Sequence, residues 1–484
     1  MSYRHGIYGT EIPTSISPPI RTSAGLIVAI GSAPINQLEN YSEAVNKPIL
    51  AYSYAEAVNA LGYSSDTKSY TLCEVMKVCF GLYGVAPVVL INVLSLVHSV
   101  TYQGSITFIN GKASLPHSGV LPGTILLREE SKEYSQGTDF SHTFNDTGRS
   151  VISCISSGGI KNDRRISIEY KYLDSNRVKS KDIIGGVNFF SHKAEGLELL
   201  NEIYPRFGLI PGQIIAPGFS RDAEVGQLMA LKAGAVSDIF RAEALTDISN
   251  SYGVGSNYKK AVEWKASHNW VAKTQTVCWP MVKSGHEIHH FSTHLAAATC
   301  LLDGHNADIP YRSPSNKTLQ ISSAVLWDGT EVWNGLGVAN YLNSQGIVTT
   351  YHKNGWKTWG NRTAAYPSST DPKDSFRACR RMFNWVLNTL IETYWSKIDD
   401  PTNKRLIQSV ITSANIWLNG LTANENIAGG RVVFIERENA VTDLMDGILR
   451  FHVFLTPFSP AREIDFVMEY DSNYLNNLFS SSAS

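Results

Sequence analysis

The sequence predicts a multidomain α/β (α+β) protein, in which a mixed sheet flanked by helices carries an inserted small all-β domain and extended terminal arms. Three observations lead to this prediction. Buried apolar runs alternate with helical periodicity near the start of the chain. Helical periodicity then almost disappears from Val100 to about Lys181. It returns from Ala194 onward and ends in two long amphipathic patterns.

The first part of the chain begins with a segment that cannot be helical, since Pro13, Pro18 and Pro19 interrupt it. We expect this segment to form an extended arm. The following elements are predicted from apolar runs, from helical spacing and from Ser53 as a helix N-cap. They are strands at Gly25–Ile30, Pro48–Ala51 and Pro87–Leu94, and helices at Ser53–Leu61 and Thr71–Tyr83.

The stretch from Val100 to about Lys181 consists of short β-prone runs separated by turn residues. After it, the chain alternates again between the two periodicities. Helices are expected at Gly196–Tyr204 (ended near Pro205), Val225–Ala233, Ser292–Leu302, Asp374–Trp395 and Asn403–Leu421. Strands are expected at Gln213–Ala216, Ser237–Ala244, Thr274–Met281, Arg431–Ile435 and Gly447–Thr456.

A β-hairpin is the clearest local prediction. The run from Gly346 to His352 is rich in β-branched residues, and a return strand starts at Trp356–Trp359. Asn354-Gly355 between them is typical of a type I′ turn.

These elements predict six consecutive units. They are an N-terminal arm (1–20), the first part of the α/β core (21–95), an inserted all-β outer domain (96–182), an α/β middle domain (183–330), a C-terminal α/β core domain (331–465) and a C-terminal arm (466–484).

Composition excludes several function classes. The 484 residues carry 42 basic and 43 acidic side chains, so no overall field favours nucleic acid or an anionic membrane. The 6 cysteines show no metal-binding spacing, which fits synthesis in a cytoplasm. The N-terminus lacks an apolar signal-peptide region, and no window approaches the roughly 18 apolar residues of a membrane span. A net charge near zero does little to oppose self-association.

The strongest enzyme-like feature is the run His286-Glu287-Ile-His-His290, which matches H-E-x-x-H by count. On a helix, His286 and His290 could bind zinc and Glu287 could act as the base. However, Ser284-Gly285 precedes the run and Ser292 is a candidate N-cap for the next helix, so we expect a loop. A zinc-dependent hydrolase is therefore kept as the alternative function.

Other catalytic or cofactor motifs are missing from the sequence. It contains no GxSxG elbow, no GxxxxGK[ST] and no GxGxxG after a strand, so we predict no catalytic residues, no cofactor and no metal. Arg377, Arg380 and Arg381 share one helical face by their spacing. That face is either solvated or a protein contact.

Several short motifs, in order, resemble contractile tail sheath proteins, which clad contractile phage tails, R-type bacteriocins and related injection systems. The likeness covers most of the chain. The hairpin pattern LNxxGI…NGxxxWGxRT, from Leu342 to Thr363, is its longest part. The others are His5–Glu11, Gly25–Pro34, Asn46–Leu50, Asp182–Gly186, Gly196–Leu200, Arg206–Gly208, Ala216–Ser220, Ser313–Lys317 and Pro457–Ile464.

The resemblance implies a structural subunit and not an enzyme. Such a protein polymerises as stacked homo-hexameric rings around an inner tail tube and contracts from a metastable extended state to drive the tube through an envelope. Its expected partners are further copies of itself, the tube protein, and baseplate and tail terminator proteins, without nucleic acid or membrane insertion. We expect it in a virion tail or a released contractile particle, made in the bacterial host cytoplasm.

The resemblance also implies arms that add strands to sheets of neighbouring subunits. Candidate arm residues are Tyr3, His5, Ile7, Tyr8 and Ile12 at one end and Asp465, Phe466, Val467, Met468 and Tyr470 at the other. Arg377, Arg380 and Arg381 are candidate contacts with the tube. A monomeric binding module, with the β insertion as its recognition part, is a third function class.

Overall fold

The computed structural model describes residues 20–21, 24–130, 132–145, 147–160, 165–189, 192–249 and 253–475. The α-helices of these ranges are Tyr54–Leu61 (α1), Thr71–Met76 (α2), Ser180–Ile184 (α3), Ile203–Phe207 (α4), Ala223–Ala233 (α5), Tyr258–Ser267 (α6), Phe291–His305 (α7), Leu336–Ser344 (α8), Pro372–Ser375 (α9), Arg377–Tyr394 (α10), Lys404–Ala423 (α11) and Val441–Met445 (α12). Within the described ranges, no helix is both long and apolar enough to cross a bilayer.

A central sheet organises the described chain. Its eight strands are Ile27–Gly31 (β1), Pro48–Ala51 (β2), Val88–Asn92 (β3), Gln213–Ile215 (β4), Glu243–Asp247 (β5), Gln275–Cys278 (β6), Ile347–His352 (β7) and Trp356–Trp359 (β8). Their spatial order is β2-β3-β1-β4-β5-β6-β7-β8. The six inner strands run parallel, and the two edge strands, β2 and β8, run antiparallel to their neighbours.

The sequence forms this sheet because the strands at its centre, β1 and β3, are largely apolar on both sides. All five residues of β1 and all five of β3 are buried, as expected for a parallel sheet covered on both faces. Helices α5 and α7 both pack against β4 and β5. The predicted mixed-sheet α/β fold is confirmed.

The order of the strands reverses between β1 and β4. After β1 the chain builds the sheet in one direction, through β2 and β3, whereas after β4 it builds in the other direction, through β5, β6 and β7. Doubly wound sheets open a crevice at the carboxyl ends of the strands at such a switch point.

The β-rich stretch between β3 and α3 forms two antiparallel sheets around its own apolar cluster. Phe108, Leu127, Phe140 and Tyr170 are buried in this cluster. The strands are Ser99–Thr107, Lys112–Ser118, Leu126–Glu129, Lys132–Tyr134, Phe140–Phe144, Arg149–Cys154 and Arg165–Leu173. The limits of the predicted domains stay predictions.

The C-terminal part packs α10 and α11 against a two-stranded antiparallel sheet, Gly429–Phe434 with Phe451–Thr456. A three-stranded sheet is formed by Met281–Ser284, Glu287–His289 and Ser323–Val325. Two short pairings complete the sheets: Ile20–Arg21 with Val85–Ala86, and Gly186–Val187 with Ala194–Glu195.

The predicted N-cap at Ser53 and the predicted hairpin are both observed. Ser53 caps α1 by accepting the Glu56 N–H, and Asn403 caps α11 by accepting the Leu406 N–H. The predicted hairpin is β7–β8, but His352 pairs with Trp356, so the connection has three residues and not two. Asn354 and Gly355 both have positive φ, which this residue pair adopts readily.

Three element predictions are wrong in instructive ways. Pro205 does not end a helix; it lies in the first turn of α4, where its missing N–H would have no helical partner. The strand expected at Ser237–Ala244 begins only at Glu243, because Ser237 and Asp238 adopt left-handed conformations and turn the chain. The strand expected at Thr274–Met281 is two strands in different sheets, divided at Trp279–Pro280.

Candidate functional site

The run His286–His290, considered above as a zinc motif, is neither helical nor a simple loop. Glu287–His289 is a strand paired with Met281–Ser284, and His290 is the N-cap of α7. His286 is exposed in the turn, whereas His290 binds Glu74. The motif needs a helix to bring its two histidines together, so the three predicted residues do not converge on a metal site. Within the described ranges, no group of three or more His, Cys, Asp or Glu could hold a metal ion.

A chain of side-chain hydrogen bonds begins on this strand and runs into the core. Lys77 donates to Glu287 at 2.7 Å, and Glu287 contacts His289 Nε2 at 3.1 Å. His289 Nδ1 lies 3.1 Å from His294 Nε2, and His294 Nδ1 lies 3.3 Å from the Tyr83 hydroxyl. The hydroxyl also accepts the N–H of Gln320 at 3.0 Å.

The ionised Glu287 fixes the direction of this chain. Burial opposes ionisation, but the Lys77 and His289 hydrogen bonds dominate and lower the pKa of Glu287. Because a carboxylate only accepts, His289 Nε2 carries the proton and donates to Glu287. Burial lowers the pKa of His294 to about 3, and the neighbouring His289 adds to this effect.

A second cluster joins α2 to the start of α7. Glu74, buried in α2, lies 2.8 Å from His290 Nδ1 and accepts the His290 N–H at 2.9 Å and the Thr293 hydroxyl at 2.7 Å. Burial alone would raise the pKa of Glu74, but His290 overcomes it and lowers that pKa. Burial likewise opposes the charge on His290, yet Glu74 raises the pKa of the imidazole. The two groups therefore form a buried ion pair.

Asp247 is a further buried carboxylate, at the carboxyl edge of the central sheet. It ends β5 and accepts the Ser292 N–H at 2.9 Å and the Ser220 hydroxyl at 3.3 Å. Ser292 is thus the second residue of α7. The sequence analysis had named it as a candidate N-cap, and that prediction is wrong. The N-terminus of a helix commonly binds a phosphate. In this chain, two of its own carboxylates occupy that end of α7.

The arginines of α10 lie in a buried ion network. Arg377 Nε and Nη2 contact the two oxygens of Glu243 at 2.5 and 2.9 Å. Arg381 Nε lies 3.5 Å from Glu243, and its Nη1 donates to Asp303 at 3.1 Å. Arg377 is 0% exposed and Arg381 5%. The shared helical face is therefore turned toward the sheet.

Arg380 lies beside this face, with 14% of its side chain exposed, and pairs with Asp374 at 3.0 Å. The contact of Arg377, Arg380 and Arg381 with an inner tube stays a prediction. Their placement does not support it, because the guanidinium groups already bind carboxylates of the same chain.

The two predicted arms differ in what can be described. Tyr3, His5, Ile7, Tyr8 and Ile12 lie outside the described residues. The C-terminal segment is described as far as residue 475, and residues 457–470 form neither helix nor strand. Large apolar side chains are exposed along this segment: Phe466 (87%), Val467 (95%), Met468 (94%) and Tyr470 (78%).

Glu74, Glu243, Asp247 and Asp303 were not predicted from the sequence. The available signal was the presence of an acidic residue inside an otherwise apolar strand or helix, since such a carboxylate is seldom buried without a partner. That signal is weak, because it does not identify the partner.

Comparison with known proteins gives a match over nearly the whole chain and matches over parts of it. The tail sheath protein of Burkholderia phage BcepMu is 26% identical over 499 aligned positions, which cover 99% of this chain and 98% of that protein. The tail sheath protein of Escherichia phage P2 is 28% identical, over 44% of this chain and 54% of that protein. Along nearly its whole length, the chain is thus similar to contractile tail sheath proteins. The resemblance predicted from the sequence is confirmed by this comparison.

Solved structures agree with the sheath fold. A chain of the anti-feeding prophage baseplate superposes with a TM-score of 0.59 at 13% identity, covering 97% of this chain and 100% of that one. A chain of the contracted sheath of the extracellular injection system PVC gives 0.57 at 13%, covering 98% and 99%. No family model matches the sequence. The sequence relatives support a structural role in a contractile tail or injection system, and they give the zinc hydrolase alternative no support.

We expect Arg381→Met to lower the free energy of unfolding of the sheath chain by about 3–5 kcal/mol, because Asp303 would stay buried without its cation. Arg206→Met is the matched control. Arg206 pairs with Glu202 on the surface, where loss of a pair costs about 1 kcal/mol or less. Urea unfolding of both variants measures their free energies of unfolding, and equal losses in the two variants would contradict the inference.

The stability of the sheath chain should fall as the pH drops from about 6.5 toward 3. The pKa of His294 is lower in the folded state than in the unfolded chain, so unfolding takes up a proton in this window. The slope attributable to this residue is at most about 1.4 kcal/mol per pH unit. Urea unfolding between pH 4.5 and 7 should show a flatter dependence for His294→Gln. The control His286→Gln, in the exposed turn, should keep the original slope; a flatter slope there as well would refute the assignment.

Proposed function

We propose that this chain polymerises as stacked hexameric rings around an inner tail tube and contracts from a metastable extended state, driving the tube through a target envelope. The C-terminal segment is the observation that carries the proposal. Phe466, Val467 and Met468 are each at least 87% exposed in the single chain. An apolar segment of this kind is unfavourable in water and gains stability when another protein covers it.

The two-stranded sheet of the C-terminal part is the acceptor that we propose for the arms. Gly429–Phe434 and Phe451–Thr456 pair only with each other among the described residues, so each strand has an open edge. A sheet of two strands is marginal by itself and is completed readily by further strands. Strands from neighbouring subunits would join these edges through main-chain hydrogen bonds.

The C-terminal arm has the composition that such pairing needs. Phe466, Val467 and Tyr470 are residue types that favour strands, and acidic residues interleave with the apolar ones. The segment directly follows the last strand of the acceptor sheet, at Thr456. A subunit can therefore donate an arm in one direction while it accepts arms at its own sheet.

Contraction by this route requires no catalytic step. The energy would be stored when the sheath assembles in the extended state and released when subunits form larger contacts. The arms would keep subunits connected throughout, because hydrogen bonds to the main chain tolerate rotation of the bodies they join. The tube, the baseplate and a terminator protein are the partners that this proposal includes.

Replacing Val467 with proline should abolish polymers and leave the single chain folded. Proline removes an N–H that strand pairing needs, and Val467 is 95% exposed, so the monomer loses no packing. Val467→Thr keeps both the N–H and the β-branched shape and should assemble normally. Negative-stain electron microscopy and sedimentation of each variant, co-expressed with the tube protein, measure the outcome.

Striated tubes or stacked rings from the threonine variant, and single particles from the proline variant, would support the proposal. Full-length tubes from the proline variant would show that this arm is not a pairing strand. Single particles from the unmodified chain, with tube and baseplate proteins both present, would favour the monomeric binding module.

A further inference from the structure

A cavity of about 860 Å³ opens at the point where the order of the central strands reverses. Ser32, just after β1, and Gly218 and Phe219, just after β4, line it. Glu74 and His290 lie at its base. Cavities of this size at the carboxyl edge of a doubly wound sheet are common sites for small molecules. We call it the switch-point cavity.

Basic side chains from three separate parts of the chain surround the switch-point cavity. They are Lys68 before α2, Lys179 and Lys181 at the start of α3, and Arg221 before α5, all in exposed positions. In the part of the chain that the structure describes, none of these four forms an ion pair, and Lys179 donates to the carbonyl of Asn176.

The carboxylates of the cavity do not balance this charge. Glu74 is already bound by His290 and Thr293. Asp222, the N-cap of α5, accepts the Ser180 hydroxyl at 2.5 Å and the Glu224 N–H at 3.0 Å and keeps its negative charge, so one carboxylate stands against four cations. An excess of positive charge therefore faces a concave, partly apolar space, in which the potential is stronger than on a flat surface.

One wall of the cavity is apolar. It is formed by Phe219, Met281, Ile288 and Trp327, and Trp327 is 48% exposed beside the cavity. A cationic rim with a half-exposed indole next to it suits an anion that also carries a planar ring, because the ring can stack on the tryptophan. Several converging cations suit a phosphate chain better than a single carboxylate.

We propose that the switch-point cavity binds a phosphate-bearing small molecule with an aromatic ring. The phosphates lie among Lys68, Lys179, Lys181 and Arg221, and the ring lies against Trp327. The helix N-terminus of α7 does not hold the phosphates, because Glu74 and Asp247 already accept hydrogen bonds there. This site is independent of the assembly proposed above.

Isothermal titration of the unassembled full chain with Mg-free ATP and with inorganic pyrophosphate tests the proposal. Both probes should bind in a saturable manner. Lys181→Gln combined with Arg221→Gln should weaken both by roughly tenfold or more, since each cation contributes a charge-assisted contact. Trp327→Ala should weaken ATP and leave pyrophosphate unchanged.

Lys404→Gln combined with Arg405→Gln removes two exposed cations of α11, outside the cavity, and is the matched control. If this control weakened binding of the probes equally, general charge attraction would explain the effect, and the proposed site would be overturned. If neither ATP nor pyrophosphate bound in a saturable manner, the proposed site would be overturned as well. If the Lys181 and Arg221 variant instead lost only self-assembly, the rim would be a contact between subunits and the small-molecule proposal would be wrong.

Discussion

The position of α10 against the central sheet depends on one buried carboxylate, Glu243. It accepts from Arg377 and the Thr276 hydroxyl, lies 3.5 Å from Arg381 and is only 5% exposed. A buried carboxylate that loses its cation is costly, so the arginines must stay where they are. Because α10 also packs on α11 and the two-stranded sheet, these charges set where the C-terminal part lies relative to the sheet. Apolar packing alone would permit more sliding between the C-terminal part and the central sheet.

At the carboxyl edge of the sheet, carboxylates of the chain itself occupy the place where a helix N-terminus of a doubly wound fold usually binds a phosphate. Glu74 and Asp247 accept the backbone N–H groups of His290 and Ser292, at the start of α7. These groups would otherwise face a phosphate. The chain has thus neutralised the terminus internally, and His290 binds α2 to α7 as part of the same arrangement. The cations of the switch-point cavity lie further out, on separate segments, and are not used by this internal pairing.

Local patterns predicted most of the fold, because strands, caps and the hairpin are decided by neighbouring residues. Ser53 and the β7–β8 hairpin are examples. The sites were harder, because their partners are distant in sequence: Arg377 and Glu243 are separated by 134 residues, and His290 and Glu74 by 216. The arginine spacing on α10 correctly indicated a shared face, but spacing does not tell which side faces the sheet. The histidine run matched a zinc motif by count, yet His286 lies in the turn before the strand and His290 is the N-cap of α7, so the two do not share a helical face. The resemblance to tail sheath proteins was predictable because it rests on the order of many short motifs rather than on a single contact.

The proposed mechanism places two kinds of interaction in different parts of one subunit, and their physical chemistry suits this division. Buried charge pairs are specific in geometry and fail when a partner shifts, so they suit a body that must move as a unit. Main-chain pairing at an open strand edge is less demanding of side-chain position, so it suits a connection that must survive rotation of one subunit past another. The reverse arrangement would be unfavourable. Subunits joined by desolvated charge pairs would lose them on any rotation, whereas a core held by strand edges alone would deform before the sheath moved.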